Sequence, residues 1–106
     1  MLELLAVALL LLHGVMHMIG FVQSFGLRNY QKITVEISRF FGLIWLSAAT
    51  LFVAAATALQ LGISWWHASA LAAAALSQVA VIAAWRDAKY ATVLNVLIAI
   101  MALWCW

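Results

Sequence analysis

The chain has 106 residues, 70% of them hydrophobic, no proline, and five basic against three acidic side chains. That is too little polar material to coat a water-soluble domain of this size, so composition points to lipid as the solvent. The charges gather between Arg28 and Arg39 and between Arg86 and Lys89, with Glu3 alone elsewhere, and this excludes the charge-striped helices of a soluble bundle.

The apolar runs are continuous and alanine-rich without period-two alternation, which argues against a spanning β-barrel. The expected fold is all-α: one integral membrane four-helix bundle over residues 1–106, with spans near 4–23, 40–61, 65–85 and 90–106. Leu4 to Gln23 is long enough to cross about 30 Å of hydrocarbon at about 1.5 Å per residue. It lacks a basic leader and three similar runs follow, so it reads as a retained span rather than a secretory signal. Steps of three and four along it meet Glu3, Ala6, Leu10, His13, His17, Gly20 and Ser24, one face holding most of its polar and small residues. Two imidazoles facing lipid would have no partners, at a cost of several kcal/mol, so this face is expected to look into protein or a hydrated cavity.

The linker Phe25 to Arg39 is polar and carries Arg28, Lys32, Glu36 and Arg39, with Ile33, Val35 and Ile37 placed to dip into an interface. The second span is expected to turn Leu43, Ser47, Thr50, Ala54, Thr57 and Gln60 inward. Trp45 lies more than a turn inside it. A neutral turn at Gln60 to Ser64, containing Gly62, leads to the third span, whose matching face holds His67, Leu71, Ala74, Gln78 and Ile82. The alanine runs at 54–56 and 72–75 predict a tight hairpin of these two helices. In the charged link, Asp87 is placed to cap the fourth helix, while Arg39 and Lys89 can snorkel to headgroups. The fourth span, Tyr90 to Trp106, covers roughly 25 Å and offers Ala88, Thr92, Asn95, Ala99 and Ala102 along one face. The lone Cys105 has no intrachain partner.

Three lysines and arginines fall in the first loop, two in the third, and none in the second or at the termini. The positive-inside rule then puts both termini outside the cytoplasm. Trp65, Trp66, Trp104 and Trp106 mark the outer interface and Trp85, Tyr90 and Tyr30 the inner one.

Counted from the inner helix ends, His17 shares a layer with Ser47, Gln78 and Asn95. His13 sits a turn higher beside Thr50 and Ala74, and His67 lies roughly 10 Å above His13. His13, His17, Ser47, Gln78 and Asn95 are thus the candidate ligand-binding or proton-sensitive residues, an imidazole having an ordinary pKa of about 6.5. No nucleophile, base and orienting group come together, and no phosphate loop or coenzyme fingerprint is present, so no catalytic residue is assigned and an enzyme is not expected. A metal held by His13 and His17 lacks the acid of the zinc-protease motif, since Gly14, Val15 and Met16 intervene, and two ligands fall short of the usual set. Met16 and Met18 point off the histidine face. A haem needs ligands from two sides, which only a second copy would supply. No cofactor is therefore expected, with haem or a transition metal as the open alternative.

The stretches LLHGVMHMIGF (Leu11 to Phe21), SRFFGLIWLSAATLFVAAA (Ser38 to Ala56) and LSQVAVIAAWRDAKYATVLNVLIA (Leu76 to Ala99) resemble a group of small four-span bacterial membrane proteins described only as uncharacterised. The resemblance implies the four-helix fold, a place in the bacterial cytoplasmic membrane, and attention to His13, His17, Gln78, Asp87, Lys89 and Asn95; it implies no activity. In size the chain is similar to the small multidrug-resistance transporters, but the membrane-embedded glutamate of their first helix has no counterpart beyond Glu3 at the helix end. In architecture it is also similar to the DoxX-type helical subunits associated with quinone-linked oxidation.

The expected function is binding or transport of a small ligand or protons by a homo-oligomer. The alternatives are an accessory subunit of a larger membrane complex and a haem, metal or quinone-linked redox component. Lipid, a second copy or another membrane subunit are the expected partners; nucleic acid is not.

Overall fold

The computed structural model describes residues 2–26 and 38–104, apart from the side chains of Leu2 and Asp87. Those residues form α1 (Leu2–Ser24), α2 (Arg39–Gln60), α3 (Trp66–Ala83), a single turn α4 (Trp85–Ala88) and α5 (Ala91–Trp104), with no strand among them. The described part of the chain is therefore all-α, four helices plus one turn. Freedom from proline and wealth in alanine and leucine allow runs this long.

Three segments, Glu3–Ser24, Arg39–Gln60 and Trp66–Ala83, are long and apolar enough to cross a membrane. α5 is apolar but has 14 residues, about 21 Å of helix, short of the full thickness of a hydrocarbon core. The interfacial run expected for Ile33, Val35 and Ile37, with Tyr30, lies outside the described residues, as do Cys105 and Trp106. The capping role expected of Asp87 concerns a side chain that is likewise outside them.

Helix boundaries have local causes. Ser38 caps α2, its hydroxyl accepting the Phe41 N–H at 3.2 Å. At the other end Ile63 N–H reaches the Ala58 carbonyl at 2.8 Å and Gly62 N–H the Leu59 carbonyl at 3.2 Å. This is a Schellman turn, and its left-handed position, φ +74, falls on Gly62, where the absence of a Cβ removes the strain. The predicted turn is thus a specific motif. α3 stops at Ala83 because Ala84 leaves the helical region, with φ −115 and ψ 36, so the charged link is partly wound into α4 rather than extended.

α1 packs along α2, α2 along α3, and α3 along α5, whereas α1 and α5 meet only lightly. The bundle is a ring of four helices with one loose seam. The predicted face of α1 is the buried one: Ala6, Leu10, His13, His17 and Gly20 all turn inward. The α2–α3 hairpin expected from the alanines is present, with Ala48, Ala55, Ala70 and Ala73 fully buried.

The face expected for α2 is corrected. Its buried side is Gly42, Trp45, Ala48, Ala49, Phe52, Ala55, Ala56 and Ala58, while Ser47, Thr50 and Thr57 lie on the exposed side. Each of those hydroxyls donates to the carbonyl four residues back, on Leu43, Leu46 and Val53, at 2.8, 3.0 and 2.9 Å. A hydroxyl satisfied by its own helix has no need of the interior, and the inside goes to the small residues that let axes approach. On α3 the face is rotated in the same sense: Ile82 is exposed and Ser77, not named beforehand, is fully buried.

Gly20 shows how closely α1 and α2 meet, because any Cβ there would run into the Trp45 indole. Gly14 is also tight, its absent Cβ standing 3.1 Å from Cβ of Phe52. Gly20→Leu is expected to displace Trp45 and lower stability by about 1–3 kcal/mol. Reversible unfolding of the detergent-solubilised protein followed by circular dichroism measures this, and an unchanged midpoint would contradict the packing described.

Candidate functional site

The site is built on the inner face of α1, where His13 and His17 are one turn apart and essentially without solvent contact. Their rings meet edge to face with centroids 4.4 Å apart. Phe52 of α2 packs on both, at 4.8 and 5.4 Å, and Trp45 lies 4.9 Å from His17. Trp45 is therefore inside the span because it walls the histidine site, which Gly20 gives it room to reach.

The hydrogen bonds assign each ring its tautomer. His17 Nδ1 lies 2.7 Å from the His13 carbonyl. A carbonyl only accepts, so Nδ1 carries the proton and Nε2 is the acceptor. The Ser77 hydroxyl, 2.5 Å from that Nε2, is its donor. His13 has the opposite arrangement: its Nε2 is 2.8 Å from Asn95 Oδ1 and donates to it. The Asn95 amide then donates to Gln78 Oε1 at 3.0 Å, and the Gln78 amide to the Thr92 hydroxyl at 3.1 Å. With Nε2 protonated, His13 Nδ1 is a lone-pair acceptor, and it is buried with no partner.

Of the residues singled out in the sequence, His13, Gln78 and Asn95 thus form one connected chain, joined by Thr92. His17 is adjacent but bonded to Ser77 rather than to Gln78 and Asn95 as the depth count proposed. Asn95 meets His13 instead, one turn along α1. The neighbours expected for His13 change accordingly: Thr50 is exposed and bonded to its own helix. Ser47 takes no part, being on the outer side of α2. Ser77, Trp45 and Phe52 were missed. The available signal for Ser77 was its place on the row Ala70, Ala73, Ser77, Ala80, the smallest side chains of α3 at helical spacing.

His67 stands apart, donating Nδ1–H to the Ala102 carbonyl at 2.9 Å, with Trp66 beside it at 4.0 Å. Trp66 is buried rather than interfacial, whereas Trp65, Trp85 and Trp104 are exposed. Near the charged end Arg39 lies over the Phe25 ring at 5.7 Å and Lys89 over Tyr90 at 5.4 Å. Among the described residues no three His, Cys, Asp or Glu side chains are grouped to hold a metal. Both nitrogens of His17 and Nε2 of His13 are already committed, which leaves a single imidazole nitrogen for any ligand.

A cleft of about 280 Å³ reaches the two imidazoles. Met16, Gly20 and the histidines border it on α1, Trp45 on α2, and Tyr90, Ala91 and Leu94 across the loose seam with α5. Among the described residues no lysine, arginine, aspartate or glutamate lines it, and its walls are almost wholly apolar.

Nitrogen NMR of the protein labelled at histidine is expected to show His17 as the Nδ1–H tautomer and His13 as the Nε2–H tautomer; the same tautomer at both positions would refute the bonding scheme. Asn95→Leu leaves both the His13 Nε2–H and Gln78 Oε1 without partners, so it is expected to destabilise by about 1–3 kcal/mol, more than Ser47→Ala, measured by the same unfolding method. Equal effects of the two substitutions would show that the polar chain does not stabilise the seam. No family model, curated protein or solved structure matches this chain.

Proposed function

We propose that the protein is a membrane-embedded binder of a small lipophilic molecule, which enters between α1 and α5 and docks against His13 and His17. The observation that carries this reading is a single one: the cleft ends on two buried imidazoles, one of which holds an acceptor without a partner. Interhelical glue has no use for an unpaired buried acceptor, whose desolvation costs about 1–3 kcal/mol.

In this reading α5 is the fourth span and the bilayer lies against the seam, so a molecule dissolved in lipid reaches the cleft without crossing water. The cleft is at the same end of the bundle as Arg39, Arg86 and Lys89, which the positive-inside rule assigns to the cytoplasmic side. The lack of charged residues among the described lining suits a neutral ligand. Proton conduction is less well supported. Asn95 and Gln78 are carboxamides, which neither take up nor release protons in the ordinary range, and the second nitrogen pair is interrupted because His17 bonds to the His13 backbone rather than its ring.

A second reading, an accessory subunit or a homo-oligomer, is favoured by the same light seam, which offers a partner helix a place to insert. The two readings separate by photolabelling the chain in lipid nanodiscs with a phenyl diazirine, a neutral one-ring probe. Ligand binding predicts saturable labelling of Met16, Trp45 or Tyr90 that excess naphthalene suppresses and that Ala91→Trp, which fills the cleft, abolishes. Unsaturable labelling confined to outward side chains such as Leu12 and Val93, unchanged by Ala91→Trp, would overturn it.

A further inference from the structure

The cleft between α1 and α5 has a direction. Along α1 its lining runs from His13 to Gly20, about 10 Å of helix. The deep end stops at the imidazoles. The Gly20 end is bordered by Ala88 and Tyr90, the two residues that flank Lys89 in the chain. Met16, Ile19 and Tyr90 are lining residues that are also exposed, so the slot is open along its side, where the bilayer lies.

Charge changes abruptly at the Gly20 end. The Lys89 ammonium stands 5.4 Å from the centre of the Tyr90 ring, which holds it against one wall of the mouth although it is not itself a lining residue. Among the described side chains the one carboxylate, Glu3, lies in the first turn of α1, at the opposite end of the bundle. The slot is therefore neutral and its mouth cationic. A molecule already dissolved in lipid gains no hydrophobic free energy by moving its apolar part into an apolar cleft, since hydrocarbon surrounds it in both places. Preference among lipid-soluble molecules has to come from shape and from the polar end.

We infer that the cleft takes a single-chain amphiphile with one anionic head, a fatty acid: its alkyl chain lies in the slot from Gly20 toward His13, and its carboxylate pairs with the Lys89 ammonium. The inference rests on the binding reading above and names its ligand class. The part inside the slot is neutral, as the lining requires, and no bond to either imidazole is involved. The charge stays at the membrane surface, where the lysine stem can follow it. A two-chain anionic phospholipid offers the same charge, but about 280 Å³ spread along about 10 Å of helix is room for one chain, and the second would lie outside.

The test photolabels the full chain with the phenyl diazirine in phosphatidylcholine nanodiscs at about pH 9, where a carboxyl group is ionised. Laurate, methyl laurate or phosphatidylglycerol is added at matched mole fractions in the membrane. The expected result is that laurate suppresses labelling of Met16 and Trp45 roughly fivefold more effectively than its ester, the fold-change for one lysine facing an anion at a membrane surface. Lys89→Gln is expected to remove that difference and Lys89→Arg to keep it. Equal suppression by laurate and methyl laurate in the wild type, or a difference that survives Lys89→Gln, would overturn the inference, while continued competition by naphthalene would show cleft binding intact. Phosphatidylglycerol competing as well as laurate would refute it in favour of a two-chain lipid. Loss of naphthalene competition itself would bring down the binding reading and this inference with it.

Discussion

The hydrogen bond between His13 and Asn95 is the constraint around which the bundle is arranged. It crosses the seam where α1 and α5 otherwise meet lightly, and it sits where no water competes, so its loss leaves two polar groups without recourse. Asn95 has four hydrogen-bonding positions and cannot be satisfied by an imidazole alone. Gln78 takes up its amide, and Thr92 that of Gln78. One buried histidine has in this way recruited polar residues on α3 and α5, and these tie α5 to α3 just where α5 makes its principal contact. The direction of the chain is set further along, where the Asn95 amide donates to Gln78 Oε1 and leaves its oxygen to accept from His13.

The close approach of α1 to α2 serves the same end from the opposite side. Gly20 and Gly14 remove the side chains that would keep the axes apart, and Phe52 and Trp45 close over the imidazoles from α2. Small residues on one helix thus admit large ones from the next, an arrangement suited to a membrane, where burial of apolar surface does not itself drive helices together. The result is lopsided: tight from α1 through α3, loose between α1 and α5. A cleft is the natural consequence, because the ring of helices is pulled shut along three seams and held across the fourth by one polar contact.

What the sequence made legible follows from which forces act locally. The face of α1 was readable because two histidines, a glycine and an alanine recur at helical spacing, and a buried imidazole has nowhere else to go. Gln78 and Asn95 were readable for the same reason, since a carboxamide cannot satisfy all its hydrogen-bonding groups within its own helix. Ser47 and Thr50 looked equally polar and were misplaced, because a hydroxyl can bond to the carbonyl four residues back and so tolerates the outer surface. Ser77 was overlooked by the converse error: a serine among alanines reads as packing, and its hydrogen bond to His17 depends on an axial register that hydropathy does not specify. The one-turn error that gave Asn95 to His17 has that same origin. Apolar runs blur helix ends by several residues, and α3 ends before Trp85 because Ala84 leaves the helical region.

The committed and the vacant nitrogens bear differently on function. Three of the four imidazole nitrogens are held by side-chain or backbone partners, an arrangement that fixes both rings and opposes their use as a shared metal site, which would have to break at least one of those bonds. The His13 ring is held in the same way: Phe52 and His17 pack on it and Asn95 bonds its Nε2, so its remaining nitrogen is buried without a partner. The cleft is small, so a molecule it admitted would be held by fit to its apolar and aromatic walls rather than by buried area. Among the described residues, the unpaired nitrogen of His13 is the feature of this polar core for which helix packing gives no account.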